Sequence, residues 1–193
     1  VLMSGDGADD TVGAPFIDGG SVAGEIVERT GGDKIIVEHT NINPNKAAHI
    51  GHLRNACMGD ALARIHRALG YPVEVHNYID DTGVQVADVV SGFLDLRGMS
   101  VAQVEALPEP FDYLCWDLYT EVSERLAKDE DLVERRGAVL LALEHGAGVE
   151  AEMAEVVSRR IVGRHLGTMA RLGIVYDLLV KEGDILASDL WSE

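Results

Sequence analysis

The chain has 193 residues, 47% of them apolar and 25% charged, which is long and apolar enough for one or two cored domains and rules out a disordered tail. Its 16 basic residues against 33 acidic ones leave a net charge of −17, so these residues alone repel phosphate backbones, and DNA is excluded as their partner. Two cysteines far apart, Cys57 and Cys115, make neither a disulfide framework nor a zinc ribbon and point to the cytoplasm; no run of ~18 apolar residues is present to span a membrane.

Residues 1–24 are rich in Gly, Ser and Asp and read as a loose leading segment. A short helix is expected over Glu25 to Arg29, broken by Gly31-Gly32. Lys34 to Thr40 is β-branched and short, the pattern of a buried strand. The turn Asn41-Ile42-Asn43-Pro44-Asn45 follows, dense in residues that cap or bend. From Gly51 the period becomes helical, with Leu53, Ala56, Cys57, Ala61, Ile65 and Leu69 expected on the buried side and Gly70 as the stop. Pro72 to Ile79 is a second strand. Strand, helix and strand joined by short loops predict a right-handed parallel crossover.

Helices are then expected over Val84 to Leu96, Tyr113 to Ala127, Leu132 to Leu143 and Val149 to Leu172. Residues 98–147 read as an acidic helical insertion, and Ile174 to Val180 as a return to the sheet. His66 and His165, set within helices near arginines, are expected to be solvated.

The residues with the most chemistry are Lys46, His49, Gly51 and His52, at the hinge between the first strand and the first long helix. Unpaired first-turn N–H groups and the positive end of the helix dipole form an anion site. Imidazoles there can donate hydrogen bonds to phosphate oxygens, Gly51 leaves room for a ligand, and Lys46 adds a mobile positive charge; such parts suit charge growing at phosphorus. On residues alone, His-x-x-His also fits a metal pair or two solvated histidines, although no third ligand stands at a recognised zinc spacing.

The stretch Val37-Glu38-His39-Thr40-Asn41-Ile42-Asn43-Pro44-Asn45-Lys46-Ala47-Ala48-His49-Ile50-Gly51-His52-Leu53-Arg54-Asn55-Ala56 resembles the arginyl-tRNA synthetases and contains the HIGH signature of class I aminoacyl-tRNA synthetases. Asn77 to Gln85 and Leu172 to Val180 are similar to two later segments of that family. HIGH by itself also fits other class I synthetases and related nucleotidyltransferases; the lead-in with an acid, a hydroxyl and an asparagine is what favours the arginine enzyme.

The resemblance implies an α/β, Rossmann-like class I catalytic half: a parallel sheet with helices, plus the mostly helical acidic insertion. It divides the chain into 1–32, a remnant of a preceding domain; 33–97, the first half of the catalytic domain; 98–147, the insertion; and 148–193, a long helix with a return to the sheet. The implied reaction is ATP-dependent activation of arginine and its transfer to tRNA(Arg), in the cytoplasm, with Mg2+ accompanying ATP and no tightly bound protein metal. His49 and His52 would be catalytic and bind ATP phosphates, helped by Lys46, with Gly51 at the nucleotide. Glu38, Thr40 and Asn43, with His52, match the positions that hold arginine; a carboxylate at Glu38 can pair a guanidinium through two parallel hydrogen bonds. The second class I signature, KMSKS, is absent, as are the family's later arginine-pocket residues and its anticodon-binding domain. The expected reading is a fragment with little activity of its own, the alternative a truncated, non-catalytic synthetase paralogue.

Overall fold

The computed structural model describes the backbone of residues 2–4 and 11–13 and the whole of residues 34–188. Val1–Gly32 and Asp33–Glu193 are separate compact units. In the first, β1 (Leu2–Ser4) pairs antiparallel with β2 (Thr11–Gly13), so the leading segment carries a small hairpin that its composition does not reveal. The helix expected over Glu25 to Arg29 lies outside the described residues.

The second unit begins with β3 (Ile35–Glu38), α1 (Ile50–Ala68) and β4 (Val73–Ile79). β3 and β4 run parallel, with Ile35 opposite Val73 and Glu38 opposite His76. β5 (Leu178–Lys181) adds to the other side of β4, also parallel, from His76–Leu178 to Ile79–Lys181. β4 is therefore the central strand of a three-stranded parallel sheet, and it alternates accordingly: Val75, Asn77 and Ile79 are buried, while their neighbours are half-buried.

Between β4 and β5 the chain is helical. α2 (Val84–Ser91) runs into a π-helical turn, Gly92–Leu96. α3 (Val101–Glu105), α4 (Phe111–Leu126), α5 (Glu130–His145) and α6 (Val149–Ala170) follow, and α7 (Glu182–Ala187) succeeds β5. Local chemistry explains the ends. Ser100 and Gln103 form a capping box for α3, Asp129 accepts the Leu132 N–H at the start of α5, and Gly146 closes α5 in the left-handed region at φ 62°.

The main core lies in this helical layer. Val86, Val89, Val90, Phe93, Phe111, Leu118, Val122, Val139, Met153, Val157 and Ile161 pack together, with the Phe93 and Phe111 rings parallel and 6.0 Å apart. α6 ties the layer to the sheet. Met153, Val157 and Ile161 belong to the helical core; four and eight residues further on, His165 and Met169 are buried beneath the HIGH turn. α6 ends at Ala170, so Leu172, expected within it, is exposed.

The buried stripe of α1 differs from the expected one. His52, Ala56, Gly59 and Ala63 face inward, whereas Met58, Leu62, Ile65 and Leu69 are exposed. Small side chains are needed because the helix passes close to β3: a Cβ on Gly59 would lie 2.2 Å from the His39 ring. Counting large apolar residues finds the wrong face when the contact is made by small ones.

Candidate active site

The site is built on three departures from regular structure. The first is the end of β3. Thr40 and Asn41 both adopt left-handed backbone, at φ 75° and 56°. That conformation is uncommon for asparagine and costly for a β-branched threonine. Surrounding hydrogen bonds hold it. Thr40 Oγ1 is 2.9 Å from His39 Nδ1 and 2.6 Å from the Tyr176 hydroxyl. The Asn41 N–H donates to Asn77 Oδ1 at 3.1 Å. Strand pairing resumes immediately, with the Ile42 N–H on the Tyr78 carbonyl and the Asp80 N–H on the Ile42 carbonyl. The bend breaks the two-residue alternation, so Thr40 is buried while Glu38, two residues earlier, is exposed.

The second departure is the start of α1. His49 is its N-cap. Its Nδ1 accepts the Gly51 N–H at 3.1 Å, and His52 Nδ1 accepts the His49 N–H at 3.2 Å. An imidazole nitrogen that accepts is unprotonated, so in each neutral ring Nε2 carries the hydrogen and remains as a donor. The rings stack 4.1 Å apart. Burial, with the neighbouring His165, His49 and Lys46, lowers the His52 pKa to about 4, which keeps that ring neutral at pH 7. A Cβ on Gly51 would meet the His49 ring at 2.9 Å, so this glycine also spares the capping imidazole.

The third is a lysine held by the helical layer. Lys46 Nζ donates to Asn45 Oδ1 at 3.3 Å and to Gln85 Oε1 at 3.4 Å, and lies 4.8 Å from the centre of the Tyr119 ring. Burial lowers its pKa. Trp116, one turn before Tyr119 on α4, meets the His49 ring edge-on at 6.4 Å. Gln85 closes the Asn77 to Gln85 segment but carries no sign of a role there, and the α4 aromatics do not stand out in the sequence, because only the fold brings residues about 30 to 70 positions beyond HIGH back to it.

Thr40, Asn43, Lys46, His49, Gly51 and His52 all line one cavity of about 280 Å³, together with Asn41, Asn45, Asn55 and Gln85. Glu38 is not among the lining residues. It lies exposed at the end of β3, with no hydrogen-bond or ion-pair partner among the described residues. Asn43 Nδ2 donates to Asp80 Oδ2 at 2.7 Å. Burial and the Glu182 carboxyl raise the Asp80 pKa to about 6. Glu182 also accepts from the Tyr78 and Thr82 hydroxyls, which joins the ends of β4 and β5. No group of three or more His, Cys, Asp or Glu among the described residues could hold a metal ion.

Two histidines depart from expectation. His165 is wholly buried, not solvated, and donates from Nε2 to the Lys46 carbonyl at 2.8 Å. His66 is half-buried against Tyr71, with ring centres 5.9 Å apart.

The family model described as tRNA synthetases class I (R), catalytic domain, matches residues 22–189. The chain belongs to this family. It is 43% identical over 169 residues to the arginine–tRNA ligase of Thermococcus kodakarensis, covering 84% of this chain and 26% of that protein. With the arginine–tRNA ligase of Thermus thermophilus it shares 40% identity over 159 residues, or 81% of this chain and 24% of the relative. The solved arginyl-tRNA synthetase from Thermus thermophilus superposes with a TM-score of 0.66 at 39% identity, over 82% of this chain and 25% of that one. The Plasmodium falciparum arginyl-tRNA synthetase shares the fold, with a TM-score of 0.62 at 16% identity. The three-stranded parallel sheet with its helices is thus a class I synthetase catalytic half, and this chain spans about a quarter of the length of the curated relatives it matches. No helix among the described residues is long and apolar enough to cross a membrane.

Proposed function

We propose that this chain supplies the ATP-handling half of the adenylate-forming site in an arginine–tRNA ligase. In the first step a carboxylate oxygen of arginine attacks the α-phosphorus of ATP, pyrophosphate leaves and arginyl-adenylate forms. The arginyl group then passes to a terminal ribose hydroxyl of tRNA(Arg), releasing AMP. Mg2+ enters with ATP, whose phosphates it neutralises.

One observation carries this reading: the N–H groups of Gly51 and of the N-cap His49 occupy Nδ1 of the two HIGH imidazoles, leaving two Nε2–H donors at a cavity that also holds Lys46. Donors fixed before the reaction, at the positive end of a helix, stabilise charge as it develops on phosphorus at no cost of reorganisation. Keeping His52 neutral suits it to donating without trapping pyrophosphate as a full cation would. Gly51 lets the nucleotide approach the helix start. Asn43, held by Asp80, orients the polar groups of the amino acid, and Thr40 forms the wall beside it, its hydroxyl already taken by His39 and Tyr176. Glu38, exposed and unpaired among the described residues, is the carboxylate for the guanidinium. Its place outside the cavity makes the arginine site an extension of the nucleotide site along the end of β3.

The test is arginine- and tRNA-dependent ATP–pyrophosphate exchange by the natural full-length protein. His52→Ala is expected to lower kcat by about 10²–10³, the usual effect of removing one preorganised donor. Exchange that does not respond to arginine would overturn the assignment.

A further inference from the structure

His165 is the buried group for which the reaction above finds no use. α6 places it directly beneath the HIGH turn, with no solvent exposure. The Lys46 carbonyl can only accept, so the 2.8 Å contact fixes the proton on His165 Nε2. Nδ1 is then bare, and it is buried without a hydrogen-bond partner among the described residues. The same ring meets His52 edge-on, with centres 4.9 Å apart and planes at 67°. One side chain therefore touches both arms of the turn, the main chain that carries the Lys46 ammonium and the ring that carries the His52 donor.

We propose that His165 is a positioning residue for the nucleotide site, holding the Lys46 main chain by its N–H and the His52 ring by its edge. A purely apolar residue of the same volume would fill the space and leave the Lys46 carbonyl without this donor; a purely polar one would hold the carbonyl and release the ring. A histidine that is buried and neutral does both. Its neutral state matters because the Lys46 ammonium and the His49 and His52 rings surround it on one side, with the Asp112 carboxyl as the opposing charge. The inference rests on the phosphate-binding reading for its purpose, but its geometry can be tested without a ligand.

Two substitutions separate the two contacts. His165→Gln retains an N–H donor for the carbonyl and loses the ring; His165→Phe retains a ring and loses the donor. Imidazole nitrogen spectra of the 193-residue chain, recorded without ligand, report the tautomers of His49 and His52. The parent chain should show both as Nε2–H, with a slowly exchanging His165 Nε2–H. In His165→Phe the Lys46 amide should shift while the His52 tautomer is kept; in His165→Gln the Lys46 amide should stay and His52 should populate both tautomers. Titration with MgATP then tests the purpose. Affinity should fall about tenfold in His165→Phe, the loss expected from one hydrogen bond. If both variants keep the parent spectra at Lys46 and His52, positioning by His165 is wrong, whatever MgATP does. If the parent spectra are as described but MgATP leaves His49 and His52 undisturbed, the phosphate-binding reading fails instead.

Discussion

In the helical layer, large side chains meet large side chains: Phe93 stacks on Phe111, and Val86, Val90, Leu118, Met153 and Ile161 fill the space around them. Beneath the HIGH turn the apolar groups are few, with Ile42, Ile79 and Val162 in one cluster and Ala56, Met169 and Ile174 in another. The remaining interior there is polar, with His39, Thr40, Asn45, His52, Asn77 and His165 all buried. One region gains stability by removing apolar area from water. The other holds a shape through directed hydrogen bonds and close backbone approach, and includes the backbone strain at Thr40. α6 belongs to both, so the stable region braces the strained one.

Breaking the helical layer should therefore have the largest effect. Phe93→Ala is expected to destabilise the chain by about 3–5 kcal/mol, the usual cost of emptying an aromatic core position. The unfolding free energy from a urea titration should fall by that amount, and the cavity beside HIGH should be lost together with the fold, because His165 and Met169 ride on α6, whose Met153, Val157 and Ile161 belong to the helical core. Retention of the site while the helical layer is destabilised would mean that the two regions are independent.

An attack on the other region should cost less stability and do more specific damage. Gly59→Ala places a methyl group 2.2 Å from the rigid, buried His39 ring. Overpacking of this kind costs about 1–3 kcal/mol. His39 must move, and with it the hydrogen bond to Thr40 that supports the left-handed bend. The measurement is a urea midpoint alongside backbone amide shifts. Changes should centre on residues 38–43 and Tyr176, with Phe93 and Phe111 undisturbed.

The same contrast explains what could be read from the sequence. Helices α4, α5 and α6 and strands β3 and β4 follow from periodicity because their packing uses large apolar side chains or β-branched runs. α1 also falls where it is expected, yet its buried face is not legible, because alanine and glycine carry little hydropathy signal and its largest buried side chain is His52. The HIGH residues could be named because they are contiguous and open a helix. Gln85, Tyr119 and His165 act on Lys46, just before that turn, and Tyr176 on Thr40 at the end of β3, from positions 39 to 130 residues beyond Lys46. Only tertiary structure creates those contacts. Glu38 is legible as a motif residue, and its exposure follows the alternation of β3, in which Ile36 is exposed too; the burial of Thr40 depends on the left-handed bend, which the strand pattern does not announce.

The smallest effect expected is on the acid side of the stability curve, where the polar region holds groups of opposing sign. Burial lowers His39, His52 and His165, with His52 at about 4. Between that value and the ordinary 6.5 the unfolded chain takes up protons that the folded chain refuses, so these histidines reduce stability as pH falls through that window. Asp80 acts the other way. Its pKa of about 6 exceeds the ordinary 3.8, so its contribution is fully present below 3.8 and is lost as pH rises through 6. Burial pushes Glu182 up, but hydrogen bonds from Thr82, Asp80 and Tyr78 outweigh it, and the net downward shift sides with the histidines. Each group can change stability by at most about 1.4 kcal/mol per pH unit, and the partial cancellation makes the net slope smaller. Urea midpoints from pH 7.5 to 4.5 should therefore decline only gently in the parent chain. In Asp80→Asn the opposing contribution disappears and the decline should steepen. An unchanged slope in Asp80→Asn would show that Asp80 does not hold its proton when folded, and that the hydrogen bond from Asn43 is made to a carboxylate that is charged throughout.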